Sequence, residues 1–163
     1  MIEYEESQRK AGILMEALPY VRRFRGSVFV VKYGGSFMDS PDPEVRAQVA
    51  RDLVFLHFVG IKVVVVHGGG KAVTKELEKR GLQAQFIDGL RKTDEQSIAV
   101  VDEILNEKVN AEVASYVSSF DCKVRRLVGK DIIRCIKLEK APDLGFVGSV
   151  QKVDNQSITN ALD

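Results

Sequence analysis

Glycines and cations in this chain fall where an anion could be held. The apolar run Val28-Phe29-Val30-Val31-Lys32-Tyr33 stops at Gly34-Gly35, and a second run, Ile61 to His67, stops at Gly68-Gly69-Gly70. Glycine lets a backbone turn sharply and lets a charged group approach bare N–H groups. Two such turns on neighbouring strands suggest one phosphate or carboxylate site built from backbone. The second turn also opens a helix, whose unpaired N–H groups and dipole favour negative charge. Lys32 is placed to add a cation where charge spreads during phosphoryl transfer, although a lysine at a strand end can equally just reach water. Arg91 follows Asp88-Gly89-Leu90 and precedes a helix N-terminus. Its fork can hold a carboxylate through two parallel bonds; on spacing alone, a surface arginine is an equal reading. His67 has no paired acid or base in the sequence and reads as a hydrogen-bonded strand-end histidine rather than a general base.

Both common nucleotide fingerprints fail. A Walker loop needs a glycine five residues before Gly70, where Val65 stands. A G-x-G-x-x-G turn needs a third glycine at position 73, which is valine. The anion site has to come from the pair of turns acting together.

The elements that would position these residues are legible in outline. Ala11, Leu14, Leu18 and Val21 repeat at helical spacing over residues 8–25, so that helix carries an apolar stripe in need of a partner. Residues 27–33 and 61–66 read as strands buried on both faces, as in a parallel sheet. Between them, Asp42-Pro43-Glu44 starts a helix with a capping side chain, a proline in its first turn and an acid beside it. Gly60 ends that helix. The unit is strand–helix–strand, which favours parallel strands. A helix follows Gly70 and ends near Gly81; residues 85–87 form a short strand candidate before the turn Asp88-Gly89. Thr93 and Gln96 have capping-box spacing for one long helix with Ile98, Val101, Leu105, Val109, Val113 and Tyr116 on its buried face. Residues 123–128 read as a strand, 132–138 and 146–153 as a hairpin around Pro142-Asp143, and 154–163 as the start of a helix.

Composition narrows the function classes. The chain has 163 residues, 45% hydrophobic and 29% charged, with a net charge of +1. These values fit one globular domain and give no reason to expect a nucleic acid. No apolar run approaches a membrane span of about 20 residues. The charged N-terminus lacks the apolar stretch of a signal peptide. Cys122 and Cys135 have neither metal spacing nor catalytic context and read as reduced thiols of a cytoplasmic protein.

Three motifs in order resemble a known family: Lys32-Tyr33-Gly34-Gly35-Ser36, His67-Gly68-Gly69-Gly70 and Asp88-Gly89-Leu90-Arg91-Lys92-Thr93-Asp94. Together they look like the N-acetylglutamate kinases of the amino-acid kinase family. Similarity continues through residues 106–110, 129–131 and 143–148. The resemblance implies an α/β fold, a three-layer αβα sandwich with a mainly parallel open sheet, of which this chain is the N-terminal lobe. It implies transfer of the ATP γ-phosphoryl group, with Mg²⁺, to the side-chain carboxylate of N-acetyl-L-glutamate in arginine biosynthesis. Carried over by position, Lys32 would stabilise the transferring phosphoryl group, and Gly34 and Gly35 would approach the nucleotide phosphates. Gly69 and Gly70 would offer N–H groups to the acyl substrate, and Arg91 would grip its α-carboxylate. No metal-ligating residue is implied in this half.

The same resemblance assigns residues 1–26 to an N-terminal helix that assembles a homo-oligomer, a dimer or hexameric ring, in members inhibited by arginine. Residues 27–163 form the acyl-substrate lobe, and the ATP-binding lobe lies outside residues 1–163. Acetylaminoadipate, aspartate or carbamate as the acceptor, or a non-catalytic regulatory module, remain open alternatives.

Overall fold

The computed structural model describes residues 2–34 and 40–163. Gly35, expected at the nucleotide phosphates, lies outside the described residues.

The chain begins with helix α1 (Ile2–Phe24). Its last turn is anchored: the Phe24 ring meets Phe29 edge-on at 5.4 Å, and Gly26 N–H donates to the Gly60 carbonyl at 2.7 Å. Its apolar stripe is otherwise bare, with Leu14 and Leu18 exposed.

Strands β1 (Val28–Tyr33) and β2 (Lys62–His67) pair in parallel, from Val28 opposite Lys62 to Tyr33 opposite His67. Helix α2 (Pro43–Phe58) connects them, and its start follows the sequence signal. The Asp42 side chain accepts from Glu44 N–H at 2.9 Å, with Pro43 in the first turn. Gly60 closes the unit with φ +91°, a conformation that glycine adopts without strain. The expectation that both faces of these strands are buried is corrected. Tyr33 is buried, but the alternate positions Val28 and Val30 of β1 and Val66 of β2 are exposed. Among the described residues the parallel pair has two strands, without the cover on this face that a wider sheet with helices on both sides would have.

Helix α3 (Gly70–Lys79) follows β2 directly, and strands β3 (Gln85–Ile87) and β4 (Leu90–Lys92) form a hairpin across Asp88-Gly89. The long helix expected from Thr93 is divided. Helix α4 (Glu95–Asp102) passes into a π-helical stretch, Glu103–Val109, and then into α5 (Asn110–Ser118). Asp94, one residue later than expected, caps α4 by accepting from Ser97 N–H at 2.8 Å. Thr93 is occupied elsewhere, as described below. The core sits where these elements meet: Val73 and Leu77 of α3 pack with Val100, Ile104 and Val109. Burying a leucine such as Leu77 contributes about 1.5–3 kcal/mol. At the solvent edge, Arg80 bridges Glu76 and Glu103 at 3.0 and 2.8 Å, tying α3 to the π-helical stretch.

Residues 123–128 do not form the expected strand. Asn110 Nδ2 donates to the Leu127 carbonyl at 3.1 Å, and the Arg126 side chain donates to Asn110 Oδ1 and to the Asn106 carbonyl. The short helix α6 (Gly129–Ile132) leads into the predicted hairpin, β5 (Ile133–Lys137) with β6 (Gly148–Val153). Helix α7 (Asn155–Leu162) begins at its Asp154 cap. Among the described residues no helix is long and apolar enough to cross a membrane.

Candidate functional site

The two glycine turns meet. Parallel pairing brings the carboxyl ends of β1 and β2 side by side, and Gly68 N–H donates to the Tyr33 carbonyl at 2.8 Å. A Cβ built on Gly34 would stand 3.6 Å from Gly68 N, so the two backbones lie in near contact. His67 turns its ring back, with Nδ1 donating to the Gly68 carbonyl at 2.8 Å, as a strand-end histidine would.

Gly69 and Gly70 are glycines for different reasons. Gly69 has φ +152°, and a Cβ there would press on Leu105 Cδ2 at 2.5 Å. The fold therefore requires it. Gly70 opens α3, and a Cβ there would meet nothing within 4 Å. Packing does not demand a glycine at that position. What it gains is a helix N-terminus with no side-chain cap among the described residues, the end of a helix that suits an anion. Beside this turn is a cavity of about 410 Å³, lined by Gly68, Gly69, Gly70, Arg91, Thr93 and Phe146 among others.

Arg91 reaches that wall from β4. Its Nη2 donates to the Gly70 carbonyl at 2.9 Å and to Thr74 Oγ1 at 2.8 Å. Phe86, directly opposite in the hairpin, stacks on the guanidinium with its ring centre 4.6 Å from Cζ. Nη1 is enclosed and has no acceptor among the described residues. Burial draws the Arg91 pKa down from its ordinary value, yet a guanidinium stays charged at neutral pH. The result is a fixed cation, with a donor unpaired among the described residues, beside a helix N-terminus that no side chain caps among them.

The loop between β5 and β6 holds this arrangement from behind. Thr93 N–H donates to the Leu144 carbonyl at 2.9 Å, and Phe146 N–H donates to the Thr93 carbonyl at 2.7 Å. Gly145 lies between them with φ +72°, so close that any Cβ would overlap the Thr93 carbonyl. Leu144 is wholly buried. Asp143 accepts from Gly145 N–H, and that bond, with Lys137 beside it, holds its carboxyl below the usual range. Lys140 pairs with Asp88 at the hairpin turn at 2.6 Å and likewise lowers the Asp88 pKa.

Gly69, Gly70 and Arg91 are thus brought to one wall, with Gly34 at its edge against Gly68. Lys32 is not. It lies on the open face of β1, exposed and outside the cavity lining. Sequence reasoning missed Thr74 and Phe86. The turn Asp88-Gly89 carried a signal for the second, since a two-residue hairpin loop sets position 86 opposite 91. A larger hollow of about 690 Å³ separates β2 from residues 122–127 and is walled largely by valines and other aliphatic side chains.

The amino acid kinase family matches residues 27–163. An acetylglutamate kinase of Aquifex aeolicus is 39% identical over 94% of this chain and 56% of its own length. One from Petrotoga mobilis is 37% identical over 99% of this chain and 54% of its own, and one from Clostridium kluyveri 41% over 94% and 54%. The chain therefore spans about half the length of these relatives. Among solved structures, N-acetylglutamate synthase of Neisseria gonorrhoeae, complexed with coenzyme A and N-acetyl-glutamate, superposes with a TM-score of 0.75 at 23% identity. The match covers 94% of this chain and 35% of that one, and it shows a shared fold.

Proposed function

This chain belongs to the amino acid kinase family, and from that premise we propose that it is the acyl-substrate half of a cytoplasmic acetylglutamate kinase. The observation that carries the reading is the Arg91 guanidinium, stacked and held on one side and left with a donor unpaired among the described residues, beside the N-terminus of α3. Such a wall suits a dicarboxylic substrate. Arg91 grips the α-carboxylate of N-acetyl-L-glutamate, while Gly69 and Gly70 offer N–H groups to the substrate and to the transferring group.

ATP, taken with Mg²⁺, is the phosphoryl donor. An oxygen of the side-chain carboxylate bonds to the γ-phosphorus as the bond to the β–γ bridging oxygen breaks, giving an acyl phosphate and ADP. No covalent enzyme intermediate is needed, because positioning and charge stabilisation carry such a step. Gly34 and Gly35 approach the nucleotide phosphates. Lys32 is two residues upstream, exposed, and not in an ion pair among the described residues; it stabilises charge on the moving group. Residues 27–163 are the acyl-substrate lobe, most of the nucleotide site belongs to a second half, and residues 1–26 are an assembly element. The exposed Leu14 and Leu18 of α1 support the last assignment.

Titration with N-acetyl-L-glutamate, followed by NMR at the Gly69 and Gly70 amides and the Arg91 side chain, tests the reading. Saturable shifts at these groups are expected, and Arg91→Ala should weaken binding by roughly 10–100-fold. No response at any of them up to the solubility limit would sink it. Phosphoryl transfer, read by hydroxylamine trapping of the acyl phosphate, is expected only when both halves are present. Robust transfer by residues 1–163 alone would overturn the division of labour. Running acetylaminoadipate, aspartate and carbamate beside acetylglutamate identifies the acceptor.

A further inference from the structure

Thr74 lies four residues beyond Gly70 on α3, half-buried and outside the lining of the 410 Å³ cavity. Its hydroxyl donates to the Gly70 carbonyl at 3.0 Å. A hydroxyl has one proton and two lone pairs, so the same oxygen can still accept. It accepts from Arg91 Nη2 at 2.8 Å, while that nitrogen also donates to the Gly70 carbonyl at 2.9 Å. Both hydrogens of Nη2 are engaged. The guanidinium is planar and rigid, so two bonds at Nη2 together with the Phe86 ring 4.6 Å from Cζ fix where Nη1 stands. Nη1 is the nitrogen left enclosed without an acceptor. A buried, unpaired donor on a charged group carries a desolvation cost that an arriving acceptor relieves.

We propose that Thr74 is a positioning residue: by holding Arg91 Nη2, its hydroxyl reserves Nη1 for the carboxylate of the acyl substrate. The inference rests on the reading of Arg91 as the carboxylate holder. A back-bond from Thr74 to Gly70 alone would be a local helix contact with no bearing on the ligand; the bond from Arg91 is what extends its role.

The test uses the full chain as wild type, Thr74→Val, which keeps the shape and removes the hydroxyl, and Thr74→Ser, which restores it. Each is titrated with N-acetyl-L-glutamate while the Arg91 side-chain nitrogens are followed by NMR. In the wild type and Thr74→Ser, rotation about Nε–Cζ is expected to be hindered, giving separate Nη signals. In Thr74→Val the signals merge, and acetylglutamate binds about tenfold more weakly, the scale of one charged hydrogen bond. Thr74→Ser is expected to bind as the wild type does. Should Thr74→Val disturb the amide spectrum of α3, Thr74→Ala makes the same comparison. Unchanged affinity without the hydroxyl, or merged Nη signals already in the wild type, overturns the proposal and leaves the role of Arg91 standing. A wild type whose Arg91 signals ignore N-acetyl-L-glutamate refutes that role, and the proposal falls with it.

Discussion

Around Thr93 the backbone is closed on both sides. Its N–H goes to Leu144, its carbonyl takes the Phe146 N–H, and the neighbouring Leu144 has no exposed surface. Around Val30 the opposite holds: the side chain is 69% exposed in the middle of a strand that reads as core. Both places are rich in apolar residues, so hydrophobicity does not separate them. What separates them is whether a partner covers them among the described residues. The wall that carries Arg91 is backed by α3, the β3–β4 hairpin and the β5–β6 loop. The open face of β1 and β2 has no such backing among the described residues. The proposed acyl wall is therefore self-supporting, and the open face of β1 around Lys32 is not.

The largest effect expected from this contrast is at Gly145. Gly145→Ala places a side chain at φ +72° and against the Thr93 carbonyl, so strain and the loss of the Thr93 bonds add. A destabilisation of about 2–4 kcal/mol is expected in urea unfolding. A change no larger than that of a surface substitution would break the comparison.

Acid should act on the same region next. Asp94, held low by Ser97, Asp143, held low by the Gly145 N–H, and Asp88, held low by Lys140, all have depressed folded-state pKa values. A carboxylate whose folded pKa is depressed contributes stability in full above its unfolded value of about 3.9 and loses it as pH falls through the folded one. The thermal midpoint should be level near neutrality and fall below about pH 4. Hydrogen exchange should open the Phe146 amide early in that fall. An acid transition that spares Phe146 while loosening β1 and β2 would reverse the picture.

The smallest effect belongs to the open face. Val30→Thr keeps the branched side chain and its strand preference, and at an exposed position it should change stability by no more than about 0.5 kcal/mol. A cost comparable with that of Gly145→Ala would mean that the face is covered in solution.

Much of this was legible in the sequence where the signal is local. Asp42-Pro43-Glu44 started a helix, Gly60 ended it, and the β5–β6 hairpin fell around Pro142-Asp143. The glycine turns and Arg91 were found because turn chemistry and charge are carried by the residues themselves. What failed depended on distant partners. Thr93 has the right spacing for a helix cap, but its hydroxyl donates to the Arg91 carbonyl and its backbone is held by residues 144–146, and Asp94 caps instead. Residues 123–128 have strand composition, but no strand pairs with them among the described residues and the Leu127 carbonyl is taken by Asn110. The π-helical stretch at Glu103–Val109 had no sequence signal. Thr74 went unnoticed because its partner is on another element.

The clasp between Thr93 and Gly145 also says something about time. It closes a loop of about 50 residues, and such closures must be made before their contacts reward them. During synthesis Arg91 emerges long before Leu144, Gly145 and Phe146. The arginine's hairpin can form early, but it waits for residues 144–146 before its backing is complete.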